Sequence, residues 1–115
     1  MACNMLIQLP VTVPFGTDEE FDLRVRLQRE LSEALARAGM RCPVSGEIDA
    51  EHINLWFDGT DDAERMFGLV KPVLAAAGLL DRAVVILESP SPYDPDEQVS
   101  WVLWPPDHAE ALPAG

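Results

Sequence analysis

His52 is the one histidine inside a patterned stretch of this 115-residue chain, and Asp49 and Glu51 stand close to it. A carboxylate beside an imidazole can orient a general base or complete a metal site. Either use needs a nucleophile or further ligands, and none stands at a suitable spacing. His52 is a turn-side surface residue in the plainer reading and the one catalytic candidate in the sharper. Glu47, Asp49 and Glu51 could face a hard cation. However, alternate residues of a strand lie about 6.5–7 Å apart, too far for three carboxylates to grip one ion. Asp94-x-Asp96-Glu97 comes closer to a calcium loop but lacks the length and the downstream glutamate of an EF-hand. Ser45, Ser89 and Ser91 have no nucleophile elbow and no partner base. Cys3 and Cys42 form no CxxC and have no histidine at ligand spacing. The spacing therefore predicts no catalytic set, no metal site and no cofactor.

Charge is the stronger compositional signal. The net charge is −12, and two segments hold nearly all of it. Residues 42–64 carry seven acids and residues 83–115 six, and neither has a Lys or Arg. Residues 65–82 carry one acid against three bases. A nucleic-acid partner is excluded, because phosphates must be neutralised by Lys and Arg. An anionic membrane surface is disfavoured for the same reason. No apolar run approaches the ~20 residues that span a bilayer. The N-terminus MACNMLIQLP has no basic region, and Gln8 and Pro10 cut its apolar run, so no signal peptide and a cytoplasmic location are expected.

These groups must be positioned by elements that the pattern also predicts. Met5–Val13 reads as a strand with Ile7, Leu9, Val11 and Val13 on one face, and Pro10 implies a bulge or one-sided pairing. Thr17-Asp-Glu-Glu20 is a capping box that opens a helix, with Leu23, Leu27, Leu31 and Leu35 on its buried side and Gly39 as its stop. Glu47–Glu51 suits a short edge strand whose charges guard it from other chains. Ile53, Leu55 and Phe57 alternate with His52, Asn54, Trp56 and Asp58, the clearest period of two in the chain. A second helix follows a cap at Thr60 or Asp61, and Pro72 within it predicts a kink or tightened turn. Ala83–Leu87 and Val99–Trp104 are further strands around an acidic proline-rich loop.

The order β-α-β-β-α-β plus one strand predicts an α+β two-layer sandwich of the split βαβ, or ferredoxin-like, kind. Residues 1–104 form one domain and residues 105–115 a tail. The antiparallel sheet is expected in order 4-1-3-2, with the fifth strand beside the fourth. That layout brings Asp58, Asp61 and Asp62 to the same end as Asp94, Asp96 and Glu97. It leaves Asn54 and Trp56 on a helix-free face, where Trp101 or Trp104, pointing to opposite faces, could fold over. The expected function is a small acidic non-catalytic protein whose binding surface, Asn54, Trp56 and these six acids, takes a basic protein partner. The alternative is a homodimer, joined by the open face or an edge strand, enclosing a small-molecule pocket near Asn54 and Trp56 with His52 as its acid–base group.

Overall fold

The computed structural model describes residues 3–40, 42–60, 62–90, 93 and 96–105. Its elements run β1 (Cys3–Pro10), α1 (Asp18–Arg37), β2 (Val44–Ile48), β3 (His52–Thr60), α2 (Ala63–Ala76), a 3₁₀ turn (Leu80–Arg82), β4 (Val84–Pro90) and β5 (Gln98–Trp104). The five strands form one sheet in the order β2-β3-β1-β4-β5, and every neighbouring pair is antiparallel. Read from its other edge, the order is 5-4-1-3-2, so each strand has the neighbours that the sequence pattern predicts.

One face of the sheet carries both helices. Met5, Ile7 and Leu9 of β1, Ile53, Leu55 and Phe57 of β3, and Val85 and Leu87 of β4 join Leu27, Leu31 and Leu35 of α1 and Met66, Val70 and Leu74 of α2 in one buried cluster. The helical residues recur at intervals of four, the spacing that keeps one stripe of a helix inward. α2 runs without a break from Ala63 to Ala76 with Pro72 inside it. Stop and apolar stripe are local features, which is why both helices are legible in the sequence; the cap is placed correctly for α1 at Thr17, whereas that of α2 is Asp62 and not Thr60 or Asp61.

β1 ends at Pro10, three residues short of its expected end at Val13. Pro10 pairs with His52 of β3, whereas the ladder to β4 ends at Gln8–Val84. The missing proline N–H thus falls where β1 has lost its second neighbour. Beyond it the capping box takes over. Thr17 Oγ1 accepts from the Glu20 N–H at 3.1 Å, and Glu20 Oε1 accepts from the Thr17 N–H at 3.0 Å. The same carboxylate also accepts from the Thr12 N–H at 3.1 Å and the Thr12 hydroxyl at 3.0 Å. Glu20 therefore ties the loop to the helix start, and Val13 is left outside the core, 45% exposed.

The edge at β2 is closed by side chains. Gln28 Nε2 donates to Val44 O at 3.0 Å, and Arg24 Nη1 to Gly46 O at 3.4 Å and Gln28 Oε1 at 3.0 Å. These carbonyls point away from β3, so α1 satisfies groups that would otherwise template another strand. Gly46 makes the approach possible, since a Cβ there would meet Gln28 Oε1 at 2.8 Å and Leu55 Cδ2 at 3.2 Å. Edge protection comes from α1 as much as from the exposed Glu47.

Phe15 sits at φ +63° and is 68% exposed. A bulky side chain in the left-handed region costs about 1–2 kcal/mol, and little packing is present to offset it. Phe15→Asn is expected to raise the unfolding free energy by about 1 kcal/mol in urea denaturation, with an unchanged m-value.

Candidate functional site

Asp49 organises the turn between β2 and β3. Its Oδ1 accepts from the main-chain N–H of Glu51 at 2.8 Å and of His52 at 2.7 Å, and the Asp49 N–H donates to His52 O at 2.9 Å. This is the use of an aspartate to mimic a backbone turn. Its Oδ2 accepts from Asn54 Nδ2 at 2.8 Å, and Asn54 Oδ1 accepts from Gln8 Nε2 at 3.1 Å. A chain of side chains thus crosses from the turn through β3 to β1. Asp49 is placed in the turn, so the expected edge strand ends at Ile48 and its carboxylate spacing no longer applies.

The Asp49 carboxylate, the neighbour that could orient His52, is committed to the turn. Asp49 receives the main-chain N–H of His52, and both carboxylate oxygens already hold main-chain or amide donors. Asn54 is 3% exposed and hydrogen-bonded at both ends of its amide. Its role in the fold is to bridge two strands beneath the turn. Gln8 is the residue the pattern missed. It shares a face with Asn54 in any alternating reading, but only the register Gln8–Asn54 brings the two amides together.

Trp56 is half-buried and begins a row across the helix-free face, opposite Ser45 on β2 and Leu6 on β1, then Ile86 on β4 and Val102 on β5. Leu6 and Val102 are each 5% exposed. The exposed large apolar side chains are Val13, Phe15, Phe21, Val25, Tyr93 and Trp101, so none of this row is among them. The two tryptophans of β5 do not point to opposite faces. A register shift sets Val85 opposite Trp104 and Ile86 opposite Val102, so Leu103 is the extra residue of a bulge. Trp101 lies opposite Leu87, on the helix side. Trp104 packs on α2, with its ring centroid 5.9 Å from that of Phe67 and 4.5 Å from Lys71 Nζ, and Nε1 donates to Leu80 O at 3.0 Å.

At the other end of the sheet stand the acids. Asp58, Asp62, Asp96 and Glu97 are exposed, while Asp61 and Asp94 lie outside the described residues. Asp62 caps α2, its Oδ1 accepting from the Arg65 N–H at 3.0 Å. The Asp58 carbonyl accepts from the Cys42 thiol at 3.3 Å; burial, then the nearby Asp58 charge, pushes that thiol's pKa up. Among the described residues no three His, Cys, Asp or Glu side chains gather closely enough to hold a metal ion, and no helix is long and apolar enough to cross a membrane. A groove of about 540 Å³ lies elsewhere, between Arg26, Glu30 and Glu33 of α1 and Pro72, Val73 and Ala76 of α2.

Set against known proteins, the chain matches no protein family, no curated protein and no solved structure.

The Glu51 N–H, then the Asn54 amide and the His52 N–H, hold the Asp49 carboxyl below its usual range. A lowered folded-state pKa means that ionised Asp49 stabilises the turn above the unfolded-state pKa. That contribution is lost as the pH falls through the folded-state value. Asp49→Asn is expected to lower stability at pH 7 and to flatten its fall below about pH 4, read by urea unfolding at several pH values.

Proposed function

We propose that this is a small non-catalytic interaction protein that takes a basic protein partner at its acidic end. We read its fold as kin to the ferredoxin-like sandwiches, on the strength of the strand order alone. The observation that carries the functional reading is the parallel course of β3 and β4. Each is antiparallel to β1, so the two segments without a base both turn at the same end of the sheet. Asp58 and Asp62 on one turn and Asp96 and Glu97 on the other are exposed there. Arg37 and Arg65 reach this end on the helical layer, where Arg65 Nη2 donates to Ala38 O at 2.9 Å. A net-acidic end on a −12 chain attracts a cationic surface and repels polyanions, favouring association rate and partner choice.

The competing reading, a homodimer enclosing a pocket at Asn54 and Trp56, has no comparable support. Asn54 is buried and satisfied, and Leu6 beside Trp56 is nearly inaccessible.

The test takes the partner captured from the source cell and measures its affinity by titration calorimetry as salt is raised from about 50 to about 300 mM. A loss of at least about tenfold is expected, since surface charges are screened beyond roughly 8 Å at physiological salt. Asp58→Asn combined with Glu97→Gln is expected to weaken low-salt binding while leaving thermal stability in place. Binding that ignores both salt and these substitutions would sink the proposal.

A further inference from the structure

The sheet ends in two edges, β2 and β5. At β2, Arg24 and Gln28 occupy outward carbonyls. Among the described residues, β5 has β4 as its only strand neighbour. The direction of its main-chain groups follows from the register. Pro90 is opposite Gln98 and has no N–H, so that pair is not doubly hydrogen-bonded. Alternation then makes Ser89–Val99 and Leu87–Trp101 the bonded pairs. Gln98, Ser100 and Val102 therefore turn both N–H and C=O outward, away from β4.

The geometry points to a second copy of this chain as the occupant of that edge, paired antiparallel β5 to β5 about a two-fold axis at Trp101. Three features of β5 favour a like strand. Its sequence, Gln98–Trp104, has no ionisable residue, so two copies meet without local repulsion despite the −12 of each chain. Trp101, at the middle of the seven-residue strand, is 39% exposed. On the axis it meets its own copy, and an aromatic pair directly across strands is stabilising. The strand also carries opposite charge at its ends. Glu97 precedes it and is exposed, while Lys71 of α2 stands over the Trp104 ring at its far end. Antiparallel pairing centred on Trp101 sets Glu97 of one copy opposite Pro105 of the other, one residue from Trp104 and its lysine. Ser100 of each copy exchanges two main-chain hydrogen bonds with Val102 of the other. The product is a continuous ten-stranded sheet with the helices of both copies on one side, an isologous contact that closes on itself. It leaves the acidic turn at Asp58 and Asp62 outside the contact, whereas Glu97 belongs both to the acidic end and to this contact, so Asp58→Asn alone separates partner binding from dimerisation.

The test is the mass of the full chain in solution, by light scattering and sedimentation equilibrium. The wild type is expected at twice its 12.7 kDa. Ser100→Pro removes an outward N–H that β4 does not use. It should weaken the dimer at least about tenfold with an unchanged far-ultraviolet spectrum. Lys71→Glu and Glu97→Lys should each weaken the dimer at low salt, and the two together should restore it, because every contact across the axis is then charge-swapped. A wild type that stays monomeric at high micromolar concentration overturns the proposal. So does a dimer that Ser100→Pro leaves intact, which would assign the contact to another face. A full chain that is monomeric and dimerises only after residues 106–115 are removed assigns the edge to the chain's own C-terminus and equally overturns it.

Discussion

Alternation along β1 sets the parity of the whole sheet. β1 lies between β3 and β4 and is antiparallel to both, so its inward Met5, Ile7 and Leu9 oblige their cross-strand partners to face inward too. A slip of one residue against either neighbour would send Ile53, Leu55 and Phe57, or Val85 and Leu87, to the helix-free side. Each of these side chains is at most 4% exposed, and exposing one costs about 1.5–3 kcal/mol. Several such terms act together against any slip, so the register is strongly fixed. The polar bridge from Gln8 through Asn54 to Asp49 is a consequence, since it exists only in that register.

The same parity governs which main-chain groups face out at the two edges. At β2 the outward carbonyls of Val44 and Gly46 meet donors from α1 because Gly46 has no Cβ in the way. The β2 edge is thus finished by side chains of α1. At β5 the outward row is that of Gln98, Ser100 and Val102. The bulge at Leu103 turns Trp104 under the helices, where Phe67, Lys71 and the Leu80 carbonyl hold it. Both the acidic end and the neutral edge follow from the strand order.

The groups whose types suggest chemistry serve the turn in this structure, and the reason is physical. Asp49, Glu51 and His52 resemble a site because acid and imidazole are neighbours in sequence. In the turn the Asp49 carboxylate takes main-chain donors, since unmade backbone hydrogen bonds at a tight reversal are costly. An Asp three residues before a strand's first residue is itself a turn signal, and it competes with any catalytic reading of the same pair. Asn54 was legible as a polar residue on the helix-free face. Its burial was not, because burial there depends on how neighbouring strands crowd it.

The sequence by itself determined the order of the elements and the facing of both helices and of β3. Capping boxes, helix stops and periods of four and of two depend on neighbours a few residues away, and these are visible in one dimension. From the same pattern it also carried the strand neighbours and the convergence of two base-free segments at one end. Only the tertiary structure decided where β1 stops, because Glu20 must reach back to Thr12 for the loop to leave the sheet. Only it turned both tryptophans of β5 to the helix side, because a bulge depends on register against β4 rather than on β5 alone. It likewise committed the Asp49 carboxylate to the main-chain N–H groups of Glu51 and His52 and to the Asn54 amide.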